Sequence, residues 1–314
     1  MNGMGLMKIG NYHLYVERYG HEKATPIIFL HGGPGDGCML LSNLAQKLGE
    51  NYYCICFDQM GCGRSDQIPD DVLFGMSQHV DMIERLRQEL HIKKAIIYGH
   101  GYGGMLACLY AAKYPHSVLG VIYDCPSYDF ADSTKSLARF LYRETFIYKS
   151  KTSAGYRQCI KIMDATYLPG DTACVEDLQE LLQYVDDVGI RFYLHKKNFE
   201  CFLALLNSLV AEDIASQVKE RIFLRKLLAD GQPCKNFVAT LQKNTQPSIL
   251  LVGKYDPICS IEQRRAYLEN VENGELVILD SSGSFPHLEE PEQHLYSVQE
   301  FIANIACDRS DDSE

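Results

Sequence analysis

Over its first third the chain alternates short apolar runs with stretches of helical spacing. Residues 26–30, 53–57, 95–98 and 118–123 are continuous apolar runs, the pattern of parallel strands buried on both faces. Residues 12–17 alternate polar and apolar instead, as a half-exposed strand does. Helical spacing occupies 39–48, 79–90 and 103–113. Such alternation predicts an α/β fold built on a doubly wound, mostly parallel sheet.

The pattern changes near Ser127. From there to about Thr240 no strand pattern stands out, and helical spacing dominates, as at Leu178, Leu181, Leu182 and Val185. Strand-like runs return at 248–252 and 276–279, and a closing helix is expected over 292–305. The expected organisation is a core from two segments, 1–127 and 241–307, with a helical cap or lid, 128–240, between them. Open α/β sheets bind ligands at the carboxyl edge that such a cap would cover. The polar, acidic residues 308–314 are expected to be a disordered tail.

Chemistry concentrates in the loops. Ile96-Ile97-Tyr98-Gly99-His100-Gly101-Tyr102-Gly103-Gly104 is an apolar strand that turns sharply into a helix. Four further motifs follow strands: His31-Gly32-Gly33-Pro34-Gly35, Asp58-Gln59-Met60-Gly61-Cys62-Gly63-Arg64-Ser65, Gly253-Lys254-Tyr255-Asp256, and Ser282-Gly283-Ser284-Phe285-Pro286-His287-Leu288-Glu289-Glu290-Pro291. In this order and spacing the set resembles the proline iminopeptidase branch of the α/β-hydrolases, across the whole sheet domain. The resemblance implies the α/β-hydrolase fold and a strand–nucleophile–helix elbow of the form Gly-x-Ser-x-Gly. It also implies an acid at Asp256 and an oxyanion hole from the backbone amides of Gly33 and Tyr102.

Two positions depart from the family pattern. Gly101 stands where the nucleophilic serine belongs, and Ser284 where the catalytic histidine belongs. Serine hydrolysis needs an attacking hydroxyl, an imidazole that takes and returns its proton, and a carboxylate that orients the imidazole. A second hydroxyl is no base near neutral pH. Serine-hydrolase activity is therefore expected to be absent, while the backbone amides survive side-chain replacement.

Around this degenerate triad, His31, His100, His287 and Asp124 are candidate pocket residues. His100 reads first as a structural residue, and His287 first as a packing residue and second as a relocated base. Asp124 ends the strand before the cap, where some related hydrolases place their acid. Cys38, Cys62 and Cys125 lie near pocket loops, but no activating base is identifiable beside them. The cap lacks the family's tryptophan-rich segment, since the chain has no tryptophan. Its acidic residues Glu176, Asp177, Glu180, Asp186 and Asp187 read first as a solvated face. Tyr142, Tyr148, Tyr156, Tyr167, Tyr184 and Tyr193 either line an aromatic pocket or pack helices.

Composition narrows the function classes. A net charge of −11 without a basic cluster argues against nucleic acid. No apolar run reaches the roughly 18 residues that span a bilayer, and residues 1–8 lack the basic-then-apolar order of a signal peptide. The twelve cysteines include no Cys-x-x-Cys pair, and Cys54 and Cys56 in an apolar run, Cys108 in an expected core helix and Cys201 in an amphipathic segment read as buried thiols in a reducing cytoplasm. No metal and no cofactor is expected, and the expected partner is a small molecule under the cap. The first functional reading is a non-hydrolytic enzyme, a lyase, cyclase or isomerase acting on a carbonyl compound with Asp256 as acid/base. The alternatives are a catalytically silent binding or interaction protein, and a residual hydrolase or aminopeptidase using water and a relocated base.

Overall fold

The computed structural model describes residues 3–33, 35–146, 153–184, 194–195, 214–231 and 234–311. Pro34, Tyr148, Val185, Asp186, Asp187, Tyr193 and residues 312–314 lie outside them. Eight strands form one sheet: β1 (Gly3–Ile9), β2 (Tyr12–Tyr19), β3 (Pro26–Leu30), β4 (Tyr53–Phe57), β5 (Ala95–His100), β6 (Val118–Asp124), β7 (Ser248–Gly253) and β8 (Gly274–Leu279). Their order is β1-β2-β4-β3-β5-β6-β7-β8. The β1–β2 and β2–β4 pairs are antiparallel, and every other pair is parallel.

The helices are α1 (Met39–Leu48), α2 (Met76–Glu89), α3 (Tyr102–Lys113), α4 (Phe130–Leu141), α5 (Ala154–Asp164), α6 (Ala173–Leu182), α7 (Ile214–Ala229), α8 (Val238–Leu241), α9 (Ile261–Asn270), α10 (Pro286–Glu289) and α11 (Pro291–Asp311). Strand periodicity sends successive residues to opposite faces. Ile27 and Phe29 of β3 therefore join an apolar cluster with α1 and α11, and Ile28 and Leu30 join another with α2 and α3. Ile96 and Tyr98 of β5 divide from Ala95 and Ile97 in the same way. All four β3 side chains are fully buried, each worth roughly 1.5–3 kcal/mol of apolar transfer. Covering both faces is what makes these strands read as continuous apolar runs.

Among the described residues between β6 and β7, the only strand-type pairing is an isolated bridge, Asp129 to Asn236. Helices α4, α5 and α6 share a small core of their own, including Leu137, Leu141, Cys159, Ile162 and Leu181. The Asp129 side chain caps α4 by accepting from the Asp132 amide at 3.1 Å, and Ser153 caps α5 on the Tyr156 amide. Helix α7 is fastened to the loop after β4. Lys219 donates to the carbonyls of Gly63 and Ser65, and Lys226 to that of Val72.

Three boundaries differ from the sequence expectation. Strand β1 is additional: its two glycines and exposed Met4 and Leu6 blur the alternation, yet all seven residues pair with β2. Helix α2 starts at Met76 rather than 79, because the Gln78 side chain accepts from the Gly75 amide and Asp230 accepts from the Met76 amide. Helix α11 runs to Asp311, so residues 308–311 are helical rather than part of a disordered tail. No glycine or proline follows Pro291 to stop it. No described helix is long and apolar enough to cross a membrane.

Candidate functional site

The motif loops follow the carboxyl ends of β3, β4, β5, β7 and β8. His31 leaves β3 fully buried and clips two loops together. Its Nδ1–H donates to the Gly32 carbonyl at 3.0 Å, and its Nε2 accepts from the Gln59 amide at 3.0 Å. Gln59 returns a bond from its side chain to the His31 carbonyl. Burial lowers the His31 imidazole to about 4, so it is neutral at physiological pH. The Gln59 loop is held in turn by Asp58, which accepts from the Cys38 amide and from the Arg64 amide and guanidinium, with Arg64 lying 3.6 Å over the Tyr15 ring.

At the elbow, Gly101 has φ +54 and ψ −116, a conformation L side chains rarely adopt. Its amide donates to the Asp124 carbonyl, and its carbonyl accepts from the Gly104 amide. A Cβ on Gly101 would meet only the Gly32 Cα, at 3.8 Å, and otherwise open space. Helix α3 begins at the next residue, so the Tyr102 amide is one of the first-turn donors with no intrahelical acceptor. The Tyr102 ring is anchored away from this point: its hydroxyl lies 3.2 Å from His79 Nδ1, while His79 Nε2 meets the Met60 carbonyl.

Asp256 and Ser284 are in direct contact. The Ser284 hydroxyl donates to Asp256 Oδ1 at 2.5 Å, and the amides of Ile258 and Cys259 donate to the same carboxylate at 3.0 Å. Burial nevertheless raises the Asp256 carboxyl above its ordinary value, because these bonds and Arg264 only partly compensate desolvation. Glu289 and Glu290 hold the Ser284 loop, accepting from the amides of Gly283 and Ser281 and from the Ser282 hydroxyl. His100 bridges the loops. Its Nε2 donates to the Ser284 carbonyl at 2.8 Å, and its ring packs against Phe285 and against Gly32, where a Cβ would fall 2.9 Å from Nδ1. Burial lowers the His100 imidazole.

Asp124 and His287 form a separate buried pair beneath the elbow. His287 Nδ1 donates to Asp124 Oδ2 at 3.0 Å, and the Tyr98 hydroxyl donates to the same oxygen at 2.5 Å. Burial pushes the Asp124 carboxyl up, but hydrogen bonds from His287 and His294 and the nearness of His100 outweigh it and hold it well below the usual carboxylate range. One potential ligand atom from each of His100, Asp124 and His287 lies within 4.8 Å of the others. Asp124 Oδ2 and His287 Nδ1 hold each other beneath the elbow, while Asp124 Oδ1 and His287 Nε2 have no hydrogen-bond partner among the described residues.

A cavity of about 460 Å³ opens above Gly101. Gly32, Gly33, His100, Gly101, Tyr102 and Ser284 form its polar end. Met105, Phe130, Leu137, Leu178, Leu227 and Ile258 are among its apolar walls. His31, Asp124, His287 and Asp256 do not line it. The first three lie behind it as supports, and Asp256 faces a second, wider depression of about 890 Å³ edged by Arg139, Tyr255 and Arg264. Cys125 lines the cavity, but burial raises its thiol and that of Cys38 well above the usual range, and Cys62 is buried as well. The described cap tyrosines pack helices instead of lining the cavity: Tyr142 meets Tyr156 with ring centres 5.3 Å apart, Tyr167 donates to Asp177, and Tyr184 to Glu180. Asp177, expected on a solvated face, is buried and paired with Lys161 at 2.6 Å. Asp36 is a lining residue that motif reading passed over. Its signal was an acidic residue directly after the Gly-Pro-Gly turn.

Known proteins match this architecture. Residues 25–160 fit the family model for the alpha/beta hydrolase fold. The chain is 27% identical over 287 residues to a proline iminopeptidase of Heyndrickxia coagulans, covering 90% of this chain and 91% of that protein. It is 24% identical to a proline iminopeptidase of Saccharolobus solfataricus, covering 96% and 92%. The structure of a proline iminopeptidase-related protein from Thermus thermophilus superposes with a TM-score of 0.76 at 21% identity, covering 97% and 98%. The chain has the α/β-hydrolase fold, with proline iminopeptidases among its homologues.

Proposed function

We propose that this chain is a catalytically silent relative of the proline iminopeptidases that binds a small, largely apolar molecule in the 460 Å³ cavity. The observation that carries the reading is the empty position at Gly101. The backbone holds the elbow, the cavity continues to the glycine, and no hydroxyl stands there to attack. The amides of Gly33 and Tyr102 remain suited to a ligand carbonyl oxygen.

The same geometry argues against an acid/base role for Asp256. Two amides and the Ser284 hydroxyl occupy its carboxylate, and it does not line this cavity. Nor does His287 line it, which argues against a residual hydrolase working through that histidine. The test is intact-mass spectrometry after treatment with a fluorophosphonate probe. No adduct is expected. A stoichiometric adduct on any cavity residue would sink the proposal and restore a hydrolase.

A further inference from the structure

Asp36 is the single acidic side chain among the described residues that line the 460 Å³ cavity, and no described lysine or arginine lines it. It sits at the polar end: a Cβ on Gly33 would lie 3.4 Å from the Asp36 carboxyl carbon. The described residues give its carboxylate no hydrogen-bond donor and no cation. Among the described residues the titratable neighbour acting on it is His100, whose imidazole burial lowers. Asp36 is half-buried, and the fully buried acids of this protein are built differently. Asp58, Glu84 and Asp124 each have a cation, an imidazole or several donors against them. A carboxylate facing an apolar cavity is costly unless a counter-charge arrives. It also repels any anionic oxygen brought to the adjacent Gly33 amide.

We propose that the cavity takes a small apolar amine, whose ammonium pairs with Asp36 while its hydrocarbon body lies against the leucine-rich walls. The proposal rests on the cavity being a ligand site and adds the chemical class of the ligand. A metal ion fits poorly, since one carboxylate among apolar walls supplies too few donors.

The test is calorimetric titration of the full chain, near neutral pH, with 4-phenylbutylamine, 4-phenyl-1-butanol and 4-phenylbutyrate. The amine is expected to bind at least about tenfold tighter than the alcohol, and the carboxylate weakest. Asp36→Asn, checked by circular dichroism, should bring the amine to the alcohol's level and leave the alcohol unchanged. Asp36→Ser is read the same way if the asparagine variant does not fold. Equal binding of amine and alcohol, or an amine preference that survives loss of Asp36, would overturn the inference while leaving the cavity a binding site. Binding of none of the three compounds would overturn both.

Discussion

Introducing the serine and the histidine that the resemblance implies at positions 101 and 284 is the most direct test of how the elbow and the Ser284 loop are built. Gly101→Ser meets no steric obstacle, since the nearest atom to its Cβ is 3.8 Å away. It does place an L side chain at φ +54, ψ −116. That conformation costs roughly 1–2 kcal/mol, a loss of about 1.5–3 °C in Tm for a chain of this size. Ser284→His exchanges the hydroxyl 2.5 Å from Asp256 for an imidazole on the same carboxylate, with the cavity on its far side. Neither single change should hydrolyse p-nitrophenyl acetate above background, because nucleophile and base act as a unit. The double variant should exceed the parent by at least about 100-fold and acquire a fluorophosphonate adduct. Activity on a prolyl amide is not expected, since the chain lacks tryptophan and with it the family's tryptophan-rich cap segment. A double variant that folds and melts as calculated, yet stays inert toward ester and probe, would refute the claim that these loops keep catalytic alignment.

Two further expectations concern stability. Asp58→Ala removes the acceptor shared by the Cys38 amide and Arg64, and should cost roughly 2–4 kcal/mol in urea unfolding, toward the lower end because Arg64 is partly exposed. A loss under about 0.5 kcal/mol would contradict the role given to this network. Because Arg64 and the amides hold the Asp58 carboxyl below its unfolded value despite burial, that contribution is present above about pH 4 and fades as pH falls through the lower folded value. His79 is buried and lowered to about 3 by desolvation, so the unfolded chain takes up its proton near pH 6.5 and the folded chain does not. Stability from this residue is complete above pH 6.5 and falls by up to about 1.4 kcal/mol per unit down to about pH 3. Burial raises the carboxyls of Asp36 and Asp256, which pull the other way, so the comparison with His79→Gln isolates the histidine. An identical pH slope in wild type and variant between pH 6.5 and 4.5 would count against a neutral buried His79.

The sheet and its elbow were legible in the linear chain because their signals are local. Ile27 to Leu30 are buried on both faces, so every position had to be apolar, and the turn at Gly101 has the glycines a sharp strand-to-helix elbow needs. That glycine stands at 101 and serine at 284 was plain for the same reason, since each sits inside a motif of fixed spacing. Side-chain direction was not legible. Asp256, Asp124, His31 and His287 all belong to site loops, yet each is turned from the cavity into hydrogen bonds with residues distant in sequence. The start of α2 was set by Asp230, 154 positions away. Asp36 became a cavity residue only because helices between β6 and β7 pack across the loop after β3. Periodicity and turn chemistry act within a few residues and can be read along the chain. Which carboxylate is left without a partner depends on which backbone amides and imidazoles fold up beside it, and the tertiary structure alone decides that.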